Sequence, residues 1–260
     1  MPGRALGFGR SVRALAKLTW IELKLFLREP TTLVFTFAFP VVLLFILGEI
    51  FGGESGALRR HVIEGESAMD YYVPAFMGVV ALSVGVIMLP ARLTAYRAGG
   101  VLRRFRASLV PVWAVLGSQV LAALALAAVG ALLVWLFGLA FYPIQRPDAP
   151  GVVAGGFVLT AVAFAFVGTL LGGLLPSARA AQGAGLMLFF VMLFLSGASV
   201  PADVMSGTMT RLGDFLPLTY AVDLLQKGWN GGTLDAAAAL VLGGVLVAAA
   251  WVSLRAYRWG

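Results

Sequence analysis

The chain has 260 residues, of which 60% are hydrophobic and only 12% charged. Globular proteins average about 45–50% hydrophobic and about 25% charged residues. A soluble fold of this length has too little interior for so much apolar surface. The net charge of +7 is no argument for a nucleic-acid partner, because the basic residues lie between long apolar runs, where they set membrane topology. The absence of cysteine excludes disulfides, thiolate zinc sites and iron–sulfur clusters.

Six apolar stretches are long enough to cross a bilayer as helices. Spanning about 30 Å of hydrocarbon takes about 20 residues at about 1.5 Å each. The longest stretch is not two spans, because each half would be too short and no turn residues separate them. We therefore predict an all-α integral membrane protein, a single transmembrane domain over residues 1–260. Its predicted spans are 30–48, 71–91, 112–138, 151–175, 180–202 and 236–254.

The distribution of basic residues predicts the orientation. A cytoplasmic N-terminus places 14 of the 19 Lys and Arg residues inside and 5 outside, in agreement with the positive-inside rule. We expect a multi-pass protein of the inner (plasma) membrane with both termini in the cytoplasm. The alternative for the first span is a cleaved secretory signal peptide. However, the charged residues 1–29 and the apolar run 30–48 are both longer than the corresponding parts of a signal peptide. The abundance of Ala, Gly, Leu and Arg indicates a GC-rich bacterial source.

The N-terminal segment, 1–29, contains an amphipathic basic helix. Its apolar residues recur at helical spacing, and Trp20 suits the depth of the lipid headgroups. Arg28 is the last basic residue before Pro30, which starts the first span, since proline is tolerated in the first turn of a helix. Both a dedicated elbow helix at the cytoplasmic interface and a generic positive anchor fit this pattern.

The inside segment 92–110 contains five arginines and no acidic residue. A Gly-Gly pair offers a turn, after which two helical turns present Leu102 and Phe105 on one face, framed by arginines. Such a short helix suits a groove on a partner protein; alternatively, the arginines extend to anionic lipid and only fix the topology. The candidate partner-binding residues are Arg97, Gly100, Val101, Leu102, Arg103, Arg104, Phe105 and Arg106.

The outside segment 203–235 mixes charged residues with an apolar run at 215–222 that is too short to cross. Because Pro217 interrupts this run, we predict a re-entrant pair of half-helices that dips into the outer leaflet, with Thr219 and Tyr220 in its second part. An ordinary surface loop with one buried turn is the alternative.

The residues needed for an active site are missing. None of the three lysines follows a glycine, so a nucleotide-binding Gly-Lys-Ser/Thr loop cannot be built, and the single histidine, His61, does not allow a catalytic triad. The cores of the predicted spans contain no Asp, Glu, Lys or Arg, which argues against ion-coupled transport and against a channel with charged rings. We therefore expect no enzyme activity, cofactor or metal.

In their order and spacing these features resemble the membrane subunit of type-2 ABC exporters, a permease family that includes drug-, lipid- and polysaccharide-exporting systems. The similarity covers nearly the whole chain, from an elbow helix ending at Arg28-Glu29-Pro30 to the last span. The family's coupling loop has Gly-Thr-Leu and then a proline before the third span; this chain has Gly100-Val101-Leu102 and Pro111, without the usual preceding glutamates. The family's Asn-Pro-Leu-Thr-Tyr corresponds to Leu216-Pro217-Leu218-Thr219-Tyr220.

The resemblance implies that two such subunits pair with two copies of a separate ATP-hydrolysing subunit, whose closure the loop around 97–106 transmits. ATP would be bound by that partner and not by this chain. The substrate path would run along the interface between subunits, mainly spans 1, 2 and 5, beneath the re-entrant pair. The candidate lining residues, which could equally face lipid, are Phe35, Phe39, Phe190 and Phe194.

Three functions remain open at this point. The first is the transmembrane subunit of an ATP-driven exporter of apolar or amphipathic substrates. The second is a membrane scaffold or assembly factor that binds a soluble partner through the same loop. The third is a passive facilitator that needs no energy source.

Overall fold

The computed structural model describes residues 8–28, 30–51, 68–100, 112–201 and 204–256, and every regular element in these ranges is helical, as the sequence predicts. Helix α2, residues 30–51, consists of Pro30–Leu33, a π-helical turn and Phe39–Phe51. The other helices are α1 (Phe8–Phe26), α3 (Ala68–Ala98), α4 (Val112–Phe141), α5 (Pro150–Leu174), α6 (Ala178–Leu195), α7 (Gly207–Gly213), α8 (Pro217–Asn230) and α9 (Ala236–Ala256).

Five of the described helices, α3, α4, α5, α6 and α9, are long and apolar enough to cross a membrane. The chain is therefore a multi-pass membrane protein. At the place of the first predicted span, α2 contains a shorter apolar helix, Thr36–Ile50, so the count of six spans stays a prediction. Helix α3 continues beyond the predicted span 71–91 to Ala98, and the first residues of the predicted loop are therefore helical.

The helices have two distinct ends. The basic end, defined by Arg28, Arg92, Arg97, Arg179 and Arg255, holds the end of α3 together with α1 and the end of α5. The opposite end, which we call the hairpin end, is defined by α7 and α8. There the link between α4 and α5 is joined to the end of α8 by two backbone hydrogen bonds, of 2.9 and 3.1 Å.

Helix α3 lies at the centre of the protein. In its most apolar window 89% of the residues are buried, against 22% in α9. It packs on α4, α5, α6 and α8. Because the middle of α3 is apolar on all faces, the surrounding helices can cover that part on every side. Helix α9 instead exposes large apolar side chains such as Leu240 and Val247, which suit a lipid environment.

Helices α2 and α3 each contain one π-helical turn, at Val34–Ala38 and Val84–Met88. A proline, Pro40 or Pro90, lies two residues after each turn. Proline cannot donate the backbone hydrogen bond that continues an α-helix, and its ring crowds the preceding turn. The wider π turn accommodates the proline without ending the helix.

Two glycines contact the carbonyl groups of the π turn in α3. Pro90 cannot donate to the carbonyl oxygens of Gly85 and Val86, five and four residues before it. The oxygen of Gly85 lies against Gly168 of α5, and that of Val86 lies against Gly185 of α6. A Cβ atom at either glycine would overlap the oxygen. The three helices are therefore in backbone contact at this level.

We expect Gly168→Ala to destabilise the protein, because its Cβ would meet the carbonyl group of Gly85. Overpacking of this kind costs about 1–3 kcal/mol. Gly155 is a control on the same helix: a Cβ there meets nothing within 4 Å in the described chain. Gly155→Ala should gain up to about 1 kcal/mol from helix propensity. Thermal unfolding in detergent compares the two variants; equal melting temperatures would contradict the contact.

Candidate functional site

A buried ion pair joins α1 to the end of α3. The guanidinium of Arg92 lies 3.3 Å from the carboxylate of Glu22, and the two side chains are only 7% and 6% exposed. Arg92 also donates to the backbone oxygen of Glu22 at 3.2 Å. One turn further along α3, the hydroxyl of Tyr96 donates to both carboxylate oxygens of Glu22 at 2.9 Å. Since charge-assisted hydrogen bonds are strong and directional, this cluster fixes α1 on α3.

Arg97 lies on a different face of α3 and reaches α5. Its Nη1 donates to the carbonyl oxygens of Gly172, Gly173 and Leu175 at 2.9, 2.7 and 3.2 Å. These carbonyls end α5, where backbone oxygens have no further helical N–H partner and the helix dipole favours a cation. The end of α3 is thus held by α1 on one side and by α5 on the other.

Helix α3 ends on a glycine pair. The N–H of Gly99 donates to Ala95 at 2.9 Å, and that of Gly100 donates to Arg97 at 3.2 Å. Gly100 has a positive φ of 65°, a conformation that glycine adopts without strain at the end of a helix. Of the predicted partner-binding residues, the six from Val101 to Arg106 lie outside the described residues.

The predicted elbow residues surround the junction of α1 and α2. The ring of Trp20 is 59% exposed, and the Nζ of Lys24 lies 5.2 Å from its centroid. Arg28 is exposed just after α1, and Pro30 is the first residue of α2. An exposed indole beside cations suits the headgroup region of a membrane.

Three of the four predicted lining residues form one contiguous surface, the aromatic face, defined as Phe39, Phe190 and Phe194. The ring of Phe39 on α2 meets those of Phe189 and Phe190 on α6 edge-to-face, with centroids 5.9 and 6.1 Å apart. Phe190 stacks on Phe194 at 6.3 Å. Phe190 and Phe194 remain 38% and 50% exposed. The side chain of Phe35 is outside the described part of the chain.

In the predicted re-entrant segment, α7 and α8 are two helices joined by residues 214–216. Pro217 is the first residue of α8. Two side chains in its first turn fold back on α7: Thr219 donates to the carbonyl of Gly213 at 2.7 Å and Tyr220 to that of Asp214 at 2.8 Å. These bonds hold the first turn of α8 against the end of α7. The insertion of this segment into the outer leaflet stays a prediction.

Two polar residues that the sequence analysis does not name connect α8 and the end of α6 to the central helix α3. Gln226 of α8 donates to the carbonyl oxygen of Tyr71 at 3.2 Å. The hydroxyl of Tyr71 in turn donates to the carbonyl oxygen of Gly197, just after α6, at 2.7 Å. The sequence offers no sign of these contacts. The sequence does give a sign of the Glu22 cluster, because Glu22 is one of only two acidic residues in the predicted inside segments.

Charged residues at the hairpin end have shifted pKa values. A hydrogen bond between Lys227 and Asp235, just before α9, raises the pKa of Lys227 and lowers that of Asp235. Burial raises the pKa of the Asp223 carboxyl on α8, and the nearby charge of Lys227 opposes this shift. Asp223 is therefore the acid in this group whose ionised form the fold disfavours.

The sequence profile of the family described as ABC-2 type transporter matches residues 13–229, from within α1 to near the end of α8. The match includes the segment 92–110 and the aromatic face. The chain belongs to the ABC-2 type transporter family. It is a type-2 permease subunit, the transmembrane component of an ABC transporter, and membership implies a system with a partner ATPase. Members are typically not themselves catalytic. No curated protein matches the chain.

We expect Arg92→Met to destabilise the ABC-2 permease strongly, because it leaves the Glu22 carboxylate buried without its ion-pair partner. Removing one partner of a buried pair costs about 3–5 kcal/mol, whereas replacing both is often close to neutral. The double variant Glu22→Gln with Arg92→Met should therefore recover much of the loss. A double-mutant cycle on thermal unfolding in detergent measures this, and strict additivity of the two changes would contradict the pair.

We expect Asp223→Asn to stabilise the permease more as the pH rises. The pKa of Asp223 is raised on folding, so its carboxyl destabilises the fold once it ionises and costs nothing below its unfolded pKa. The melting temperature of the variant should match that of the unaltered chain below the unfolded pKa of Asp223. It should exceed it by a margin that grows as the pH rises towards the raised, folded pKa and stays constant above it. Asp148→Asn, at an exposed acid of the same end, is the control. If the difference in melting temperature shrank as the pH rises, folding would lower the pKa of Asp223 instead of raising it.

Proposed function

We propose that this ABC-2 permease forms, as a dimer, the substrate path of an ATP-driven exporter and is coupled to a separate ATPase subunit through residues 92–110. The observation that carries this proposal is the anchoring of the end of α3, which forms the first part of that segment. Glu22 holds it from the α1 side, and the carbonyls that end α5 hold Arg97. A segment with such an anchor passes a displacement on to several helices, whereas one attached only through a flexible linker would not.

The basic end is assigned to the cytoplasm, where the ATPase has its nucleotide. Support comes from the excess of Lys and Arg in the segments that meet at this end, since cytoplasmic loops are enriched in both. The hairpin end, with α7 and α8, then faces outward. A bacterial inner membrane with both termini inside agrees with this assignment.

The aromatic face is assigned to the substrate path between two copies of the chain. Its rings belong to α2 and α6, and those of Phe190 and Phe194 stay partly exposed although they stack on each other. A second copy facing this surface would enclose an apolar path. Such a lining suits apolar or amphipathic substrates, because aromatic rings offer large contact areas and few hydrogen-bonding groups.

The energy for transport is assigned to the partner. The sequence has no Gly-Lys-Ser/Thr loop with which to bind a nucleotide, and no acidic or basic residue in the cores of the predicted spans to couple an ion gradient. ATP would therefore be bound and hydrolysed by the separate subunit, and the permease would respond to its closure by a shift of helices.

Arg104→Glu combined with Phe105→Asp should abolish co-purification of the partner ATPase, because it reverses one charge and removes the apolar anchor of the loop. Loss of such an anchor weakens an interface by about tenfold or more. The matched control is Arg211→Glu with Phe215→Asp, the same chemical change at exposed residues of the hairpin end. The control should retain the ATPase at the level of the unaltered chain.

Three other results would contradict the proposal. Unchanged association of the loop variant would remove the coupling role. An ATPase that binds but is not stimulated by a panel of apolar and amphipathic compounds, ethidium among them, would favour a scaffold. Flux of such a compound through the purified permease in liposomes without any ATPase would identify a facilitator.

A further inference from the structure

The end of α5 is held by a cation that belongs to α3. The last turn of α5 contains no basic residue of its own. Helices commonly place Lys, Arg or His in that turn, where the side chain meets the unpaired carbonyls. Here Arg97 supplies this charge from the neighbouring helix, with hydrogen bonds to Gly172, Gly173 and Leu175.

The two helix ends are also packed without free space. A Cβ atom at Gly172 would lie 2.8 Å from the Cβ of Leu93 and 3.3 Å from the Cα of Pro90. The hydroxyl of Thr94 donates to the carbonyl of Pro90 at 2.7 Å and lies 3.4 Å from that of Gly172. The end of α5 therefore cannot move along α3 without breaking the Arg97 contacts.

Arg97 and the Glu22 cluster hold α3 on different faces. Arg92 and Tyr96 are four residues apart, so both point towards α1. Arg97, one residue further, is turned by about 100° to α5. Arg97 is exposed, but its Nη1 already contacts three backbone oxygens, so the printed contacts of the side chain are with α5.

We propose that Arg97 is a positioning residue for coupling: it makes the ends of α3 and α5 move as one unit, so that a displacement of the coupling segment reaches α5. This inference rests on the proposed function. It also assigns to Arg97 a role different from that of the arginines at 103, 104 and 106, which are left to contact the ATPase.

The variant Arg97→Gln should lose stimulated ATP hydrolysis but retain binding of the ATPase. The ATPase should co-purify with this variant as with the unaltered chain, and its KM for ATP should stay the same. Stimulation of ATP hydrolysis by ethidium should fall by about tenfold, the effect of losing a hydrogen bond to a charged group. Arg97→Lys retains the cation and should restore most of the stimulation. Arg179→Gln, at an exposed arginine of the same end, should change neither quantity.

A distance measurement on the permease alone tests whether Arg97 joins the ends of α3 and α5, without any need for the ATPase. The chain has no cysteine, so nitroxide labels on Ala98→Cys and Leu174→Cys, both exposed, would be the only thiol adducts. In lipid nanodiscs the distance distribution should be narrow when Arg97 is retained and after Arg97→Lys, and broader after Arg97→Gln. Arg179→Gln should leave it narrow.

The outcomes are distinguishable. Loss of the ATPase from Arg97→Gln with an unchanged label distance would make Arg97 a partner contact and overturn the inference. Unchanged distance with unchanged stimulation would also overturn it. If the unaltered chain binds no ATPase, the proposed function fails, whereas the label distance still decides whether Arg97 joins the two helices.

Discussion

Backbone contact at the π turn of α3 determines how closely the central helices approach. In lipid, apolar side chains gain little by exchanging lipid for protein, so close packing has to hold helices together. Gly168 and Gly185 allow two carbonyl groups of α3 to lie directly on α5 and α6. The burial of α3 depends on this approach, and so does the position of both its ends.

Polar contacts then fix what apolar packing leaves free. Apolar surfaces are non-directional and can slide, but the Glu22–Arg92 pair and the Arg97 contacts each have one geometry. At the other end Tyr71 and Gln226 do the same for α6 and α8. Helix α3 thus connects the basic end with the hairpin end through contacts with α1, α5, α6 and α8.

The length of the apolar runs and the positions of the charged residues predict most of the long helices, but not the details of how those helices pack. The sequence predicts helices at 71–91, 112–138, 151–175 and 236–254 because lipid requires long uncharged runs. It does not predict the π turns, because the runs around them are apolar on all faces, so that one additional residue displaces no visible apolar stripe. Gly151 and Gly155 match Gly168 and Gly172 in spacing, but only the second pair packs against α3, since the motif does not name its partner.

The candidate site is predictable to a similar degree. The aromatic face can be named only through a family resemblance, yet three of its predicted members lie in contact. The sequence groups Arg97 with the arginines that follow, because it places all of them in a loop. The structure extends α3 by two turns, and this extension alone redirects the side chain to α5. Misjudging a helix end by a few residues is enough to change the partner of a charged side chain.

A π turn contains one residue more than an α turn, so α2 and α3 each store an offset of one residue between their two halves. Absorbing that offset would rotate the following half by about 100° and advance it by about 1.5 Å. In α2 this would carry Phe39 away from the rings on α6; in α3 it would carry Arg92 away from Glu22. Because the wider turn accommodates Pro40 and Pro90, the prolines favour keeping the offset, and the offset sets which side chains after it meet α6 and α1.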